Sequence, residues 1–393
     1  MKMSKIALAL GAMVSVSSGV ATAQSVNAPP AQPLEFNMAN ITFTLYGDID
    51  QYFNFMKSSS GSHIYALQDG AWLRTRLGLK GRKDVGDGYF MKFVLEQGLN
   101  SDNGAQADTT RLFDRQLWAG VATPYGELRA GRQNTAVFFR GDYIDFTSRT
   151  LGSVINFFGV PSRYDSDLAY ISPVVYGFLF EAHYSLAGSN VNATTKQSVY
   201  QLALDYSNGP FRVGYAGIAG KPPNNAVVDS RIYYHNVYAN YDYGQGKVYL
   251  AYVRSNNNGT TGTAPNVLNN GGSPLGNTGA LLAGTDTAAR NFYDIYQVSA
   301  DYKVTPKLRL GALYGRIKDT SGNGKNANGG VIGGYYDVWR DTILYSFIDV
   351  INNDPNAGFR QAASAGLQTN FTSPADVNGK SIRGLQVGFV YRF

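Results

Sequence analysis

The chain has 393 residues, a formal net charge of +6, 28 tyrosines, 21 phenylalanines, 45 glycines and no cysteine, which excludes a disulfide framework, a zinc–thiolate site and a thiol nucleophile. Hydrophobic residues make up 44 %, yet only 16 % of residues are charged, where about 25 % is usual for a soluble domain. Beyond residue 23 no apolar run is long enough for a membrane helix, so a helical membrane bundle is excluded as well.

Lys2 and Lys5 open the chain, an apolar stretch runs from Ile6 to Val16, and small residues end in Ala21-Thr22-Ala23. A basic start, a short apolar core and a small-x-small site predict a secretory signal peptide over residues 1–23, cut after Ala23. Residues 24–40 are polar and proline-rich and are expected to form a flexible periplasmic lead-in. Residues 41–393 read as one domain.

From Ile41 onward the hydrophobic period is two. In Ile41–Phe55 one face carries Ile41, Phe43, Leu45, Gly47, Ile49, Phe53 and Phe55, and the other Thr42, Thr44, Tyr46, Asp48, Asp50, Tyr52 and Asn54. Trp72–Lys80 splits Leu73, Thr75, Leu77 and Leu79 from Trp72, Arg74, Arg76 and Lys80. Sixteen strands are predicted, over 41–55, 70–83, 89–99, 111–122, 126–135, 163–173, 177–187, 198–207, 210–219, 231–243, 246–255, 290–303, 307–317, 331–339, 341–351 and 381–393.

Their connections alternate in length. Tight turns such as Asp84–Gly88, Thr123–Gly126, Ser207–Pro210 and Gly244–Gly246 take turns with long segments rich in Gly, Asn, Ser and Thr, including Asn100–Thr110, Ser255–Ala289, Lys318–Gly330 and Asn352–Lys380. Short turns at one end and long loops at the other are the pattern of a transmembrane antiparallel β-barrel, and closure leaves no exposed edge. An even strand count puts both termini at the short-turn end. Aromatic residues near strand ends, among them Phe53, Tyr89, Tyr206, Phe211, Tyr241, Tyr302 and Tyr391, fit girdles at the two membrane interfaces. One long connection stands apart. Phe138–Pro161 holds Phe138, Phe139, Tyr143, Ile144, Phe146, Leu151, Val154, Ile155, Phe157 and Phe158, too apolar a set for a loop in water, so it is expected to pack against something.

Several segments resemble the Gram-negative general porins, especially the trimeric sixteen-stranded type of β-proteobacteria. Thr44-Leu45-Tyr46-Gly47 is similar to the opening strand of that family. Arg76-Leu77-Gly78-Leu79-Lys80-Gly81 with Asp84-Val85-Gly86-Asp87-Gly88 is similar to its second strand and turn. Phe93-Val94-Leu95-Glu96, Gly131-Arg132-Gln133, Arg163-Tyr164-Asp165-Ser166 and Tyr206-Ser207-Asn208-Gly209-Pro210-Phe211 follow in the family's order, and the chain ends Val387-Gly388-Phe389-Val390-Tyr391-Arg392-Phe393. The segment 138–162 departs from the family in lacking a Pro-Glu-Phe-Gly-Gly-like tip.

The resemblance implies an all-β barrel whose third long loop, Phe138–Pro161, folds inward and narrows an aqueous channel. It implies charge rows across that constriction, acidic at Asp142, Asp145 and Asp165 and basic at Arg74, Arg76, Lys80 and Arg132. It further implies a homotrimer in contact with outer-membrane lipids and lipopolysaccharide, and a C-terminal signal at Phe389, Tyr391 and Phe393 read by the outer-membrane assembly machinery.

Other patterns carry less. His63, His183 and His235 have neither metal-ligand nor triad spacing, no Gly-rich phosphate cradle is present, and basic residues are not clustered as nucleic acid requires. Arg140-Gly141-Asp142, Asn192-Ala193-Thr194 and Asn258-Gly259-Thr260 read as coincidences of composition. The expected function is therefore a porin of the cell outer membrane passing ions and small hydrophilic solutes passively. It needs no cofactor, makes or breaks no bond, and has a wall whose arginines favour anions. A channel specific for sugars or organic anions is the nearest alternative; an adhesin or receptor barrel, or an outer-membrane hydrolase, stands further off.

Overall fold

Alternation at period two gives each strand one apolar and one polar face, and a sheet of such strands satisfies both by closing into a tube with its apolar face outward. The computed structural model describes residues 33–109, 111–186, 198–220, 231–256, 291–364 and 367–393. The first strands are β1 (Leu34–Met38), β2 (Ile41–Ser58), β3 (His63–Asp69), β4 (Arg76–Gly86), β5 (Tyr89–Gly98) and β6 (Gln116–Thr123). Next come β7 (Gly126–Asn134), β8 (Arg163–Ile171), β9 (Phe178–Ser185), β10 (Val199–Asn208), β11 (Phe211–Gly220) and β12 (Ile232–Asp242). The last six are β13 (Lys247–Ser255), β14 (Tyr293–Lys303), β15 (Leu308–Asp319), β16 (Ala327–Trp339), β17 (Thr342–Asn353) and β18 (Ser381–Arg392).

All pairings are antiparallel, and β18 returns to β2 from Ile382↔Ser58 to Arg392↔Asp48. Phe393 completes the seam: Gly47 N–H donates to its carbonyl (2.8 Å) and its own N–H donates to Gly47 O (3.1 Å). Each of the sixteen predicted strands has its counterpart, and the barrel has 16. Two segments lie beside that count. β3 and β4 pair in succession with the same edge of β2, so they are one barrel strand broken at Gly70–Thr75. β1 is a short hairpin partner laid along the start of β2, on the stretch that β18 does not reach.

Both differ from the sequence expectation for physical reasons. Residues 24–40 were expected to be flexible; the part described, 33–40, holds β1. Leu34, Phe36 and Met38 alternate there, and Ala39 and Asn40 (φ 51° and 61°) make a tight two-residue turn. Phe36 stacks on Phe43 at 5.2 Å. Residues 1–23, expected to be a signal peptide, lie outside the described residues. In the second strand, the buried Asp50 carboxylate accepts from the backbone N–H groups of Trp72 (2.8 Å) and Leu73 (2.5 Å) and pulls the chain off the ladder. Trp72 then points inward onto Tyr335, with ring centroids 4.4 Å apart. Leu73, lipid-facing by alternation alone, is buried.

Elsewhere the tube is inside-out. Phe53, Leu250 and Ile348 are 45, 55 and 55 % exposed, whereas Asp48, Asn54 and Gln386 on the inward phase are at most 1 % exposed. Outward rings pair near the short turns (Phe178–Tyr206 and Phe211–Tyr241, both 4.6 Å) and again towards the long loops (Tyr184–Tyr200, 5.1 Å; Tyr252–Tyr296, 5.2 Å). Two such belts are what amphipathic rings do at two lipid–water interfaces.

Candidate functional site

The connection from β7 to β8 enters the barrel. Thr135 caps its first turn, α1 (Ala136–Phe139), by accepting from the Phe138 N–H (3.0 Å). A 3₁₀ turn over Arg140–Tyr143 and a second short helix, α2 (Val154–Phe158), follow. Ile144, Phe146, Leu151, Val154, Ile155, Phe157 and Phe158 are buried at 2 % exposure or less, against inward side chains of the wall. Phe146 meets Tyr335 (6.3 Å) and Phe347 (6.2 Å), and Phe158 meets Tyr293 (5.5 Å). Gly311 and Gly315 make room on β15: a Cβ on the first would overlap the Phe146 ring, and one on the second would lie 2.9 Å from Val154 Cβ. Burying each large side chain is worth about 1.5–3 kcal/mol, which offsets part of the entropy lost by the loop.

Polar anchors fix the register of that packing. Asp145 accepts from Thr147 N–H and Oγ1–H, Arg149 N–H, Ser153 Oγ–H (2.8 Å) and Gln297 Nε2–H (2.7 Å). Gln297 Oε1 in turn accepts from the Val154 (2.9 Å) and Ile155 (3.2 Å) N–H groups, so a wall residue caps α2. At the other end Arg140, 2 % exposed, donates to Glu181 on β9 and to Asp205 on β10 (Nη2, 2.5 Å; Nε, 3.1 Å). Glu181 also meets His183 Nε2 (2.7 Å), whose Nδ1 meets Asp167 (2.6 Å), and Ser185 Oγ donates to Asp167 (2.6 Å). Serine here contacts the acid rather than the imidazole, which is not the order a hydrolytic triad needs.

A second connection, between β17 and β18, also turns inward. Phe359 packs on Phe158 (6.4 Å) and Tyr293 (6.0 Å), Gln361 donates to Asp349, and Gln68 donates to Thr369 O (2.9 Å). Its short helix α3 (Pro374–Val377) is tied to the β2–β3 turn, because Asp376 Oδ1 accepts from Ser60 and Ser62 Oγ–H, both at 2.7 Å. Those two hydrogen bonds hold the exposed Asp376 carboxyl below its ordinary pKa.

The sequence-predicted charges divide into those that brace and those that remain open. On the wall Arg76 bridges Asp48 and Glu96 (3.7 Å), Arg392 joins Asp48 (2.5 Å), and Arg115 joins Glu96 (2.7 Å). Arg132 pairs with Asp165, which also takes Arg111 (2.7 Å). Arg74 sits 3.7 Å from Asp69 and donates to Asn100. Asp165 therefore lies on the basic wall rather than across from it, and Asp145 is sealed inside the loop's own hydrogen bonds. Asp142 is half-buried on the loop, within electrostatic reach of Arg76 and Arg392. Lys80 lies over the Tyr46 ring (4.2 Å), and Arg149 and Arg163 stack on Phe138 (4.1 and 4.8 Å). Arg111, Arg115 and Arg163 were not singled out from sequence as constriction residues; only the fold brings these three to the facing wall.

The family model described as Gram-negative porin matches residues 7–357. The chain belongs to that family. The porin is 32 % identical over 225 residues to an outer membrane porin protein of Bordetella pertussis, covering 52 % of this chain and 57 % of that one. It is 28 % identical over 188 residues to the major outer membrane protein P.IB of Neisseria meningitidis serogroup A, covering 46 % and 54 %. The match thus spans just over half the length of these relatives. Among solved structures, the anion-selective porin from Comamonas acidovorans shares the fold with a TM-score of 0.72 at 18 % identity, over 90 % of this chain and 100 % of that one. Family and barrel together locate the protein in the outer membrane.

Proposed function

We propose that this porin is a passive channel for ions and small hydrophilic solutes, with an anion preference set where the β7–β8 loop narrows the lumen. An imbalance of unpaired charge carries the reading. Lys80, Arg149 and Arg163 have no carboxylate within ion-pair distance among the described residues, whereas Arg74, Arg76, Arg111, Arg115, Arg132 and Arg392 each hold one. Of the loop's two acids Asp145 is consumed by hydrogen bonds, which leaves Asp142 to face the wall. A low-dielectric passage magnifies such a field.

Planar-bilayer recording tests this. Reversal potentials in a salt gradient should report anion preference, and cation preference would overturn it. Replacing Lys80→Gln and Arg163→Gln should lower the anion-to-cation permeability ratio about tenfold per charge, because a unit charge ~8 Å from the ion at an effective dielectric of ~60 shifts anion and cation about threefold each in opposite directions. The same recordings should show conductance steps in threes, because a homotrimer is proposed with the channel. Recognition of Phe389, Tyr391 and Phe393 by the assembly machinery is proposed too, supported by Tyr391 facing outward and Phe393 closing the seam.

A second reading, a channel specific for sugars or organic anions, is favoured by the second inward loop. Saturable block of conductance by one such solute would establish it over the general pore.

A further inference from the structure

The first hairpin of the chain meets its last strand on one edge of β2. That edge is 18 residues long, whereas β18 has 12. β18 takes Asp48–Ser58 and Phe393 takes Gly47, while β1 takes Ile41–Leu45, from Leu34↔Leu45 to Met38↔Ile41. Both run antiparallel to β2, so β1 continues the line of β18 in the same direction, with only Tyr46 between their places. All five residues of β1 are exposed, so it covers no core, and β2 is its one strand partner among the described residues. Its contacts are local: Phe36 stacks on Phe43, and Thr42 Oγ1 donates to Asn37 Oδ1 (2.8 Å).

Period two leaves the register of this seam undecided. A slip of one residue would turn every side chain of β18 to the wrong face, but a slip of two keeps Leu385, Val387 and Tyr391 outward. Sliding β18 by two towards the short-turn end would gain two ladder hydrogen bonds on β2. It would also change the stagger that sets the tilt and width of the barrel, and with them the channel.

We propose that β1 is a register stop: it holds Ile41–Leu45 of β2 so that β18 closes the barrel in one stagger only. The order of events favours this. β1 and β2 are joined by two residues, and such a hairpin forms in about 1–10 μs. Arg392 and Asp48 must instead find each other across 344 residues of chain, a far slower closure. The edge is therefore occupied before β18 reaches it. The shortness of β1 suits the task, since a long edge strand would itself invite pairing. Hydrogen bonds from Arg392 to Asp48 (2.5 Å) and from Gln386 to Asn54 (3.1 Å) reward the right register once it is reached. β1 removes the wrong ones that lie towards the rim.

The chain has no cysteine, so a pair placed across the seam reads the register directly. Val387→Cys with Phe53→Cys faces in the native register, whereas Val387→Cys with Gln51→Cys faces only after a slip of two. Each pair is put into the full-length chain, refolded into detergent and oxidised, with folded barrels separated by electrophoresis without heating. Ala39→Pro with Asn40→Pro breaks the turn, because proline cannot take the positive φ that both positions hold. The 51–387 cross-link should then rise about tenfold among folded barrels, the weight of two net ladder hydrogen bonds. Ala39→Asn with Asn40→Gly, the pair such turns prefer, should do the reverse. That arm is read in a chain carrying Asp48→Asn and Arg392→Gln, where this ion pair no longer selects the register and slipped barrels are numerous enough to count. An unchanged 51–387 fraction in the broken-turn variant overturns the proposal and leaves the register to the contacts of Asp48 and Asn54. If that variant does not fold, the tightened turn decides, and a slipped fraction indifferent to it overturns the proposal equally.

Discussion

The two halves of the barrel wall turn different chemistry inward. Along β2 and β4–β8 charged and amide side chains dominate the inward positions, among them Asp48, Arg76, Glu96, Gln116, Arg132 and Asp167, with Tyr52, Met56, Val94 and Trp118 between them. Along β12–β17 the inward set is more apolar, with Tyr234, Val253, Tyr293, Ile295, Leu313, Ile317, Tyr335 and Phe347 beside Asn236, Gln297, Asp301 and Asp349. A uniformly wet lumen would not need the second set. The apolar half is a seat, and the loop that carries the matching apolar residues lies on it, so what remains for solutes runs beside the charged half. The difference teaches that inward does not mean wet: the alternation of a strand fixes which way a residue points, and the partner it meets fixes whether water reaches it.

The bluntest way to break that division is to release the loop at its first anchor. Arg140→Ala leaves Glu181 and Asp205 buried without their cation, a change that costs about 3–5 kcal/mol in comparable sites. Thermal unfolding of the purified porin should shift down markedly, and the open-channel current should become noisy as the loop leaves the wall. A quiet channel with unchanged stability would mean that Arg140 does not hold the loop. A smaller effect is expected from Gly315→Leu on the apolar half. The added side chain meets Val154 where no room exists, and overpacking of this kind costs about 1–3 kcal/mol. Conductance should change while the charged half keeps its selectivity, which separates seat from filter.

Much of this architecture was legible beforehand. Period two and the alternation of connection lengths fixed sixteen strands, their order and which end carries the loops. Ten apolar side chains in Phe138–Pro161 announced an inserted loop. What escaped had causes that no local pattern encodes. The break at Gly70–Thr75 depends on Asp50, some 20 positions away and on another strand. Asp145 and Asp165 have the composition of filter residues, yet one is closed off by Ser153 and Gln297 and the other by Arg111 and Arg132. Arg149 and Arg163 both stack on Phe138 only because the loop doubles back.

The finest test lies at the rim, where the two halves are tied together by a carboxylate. Asp376 belongs to the loop that rises from the apolar half, and Ser60 and Ser62 to the turn of the charged half. Hydrogen bonds from both serines favour the ionised form, so the folded-state pKa lies below the unfolded one. The stabilisation is therefore complete above the ordinary carboxylate pKa and is lost as pH falls through the depressed value. Because the group is exposed, the effect should be local: amide exchange across residues 58–62 should speed up below that value while the strands stay protected. Asp376→Asn, which cannot ionise, should remove the pH step. If the step survives in that variant, another titratable group ties the rim and Asp376 does not couple the two halves.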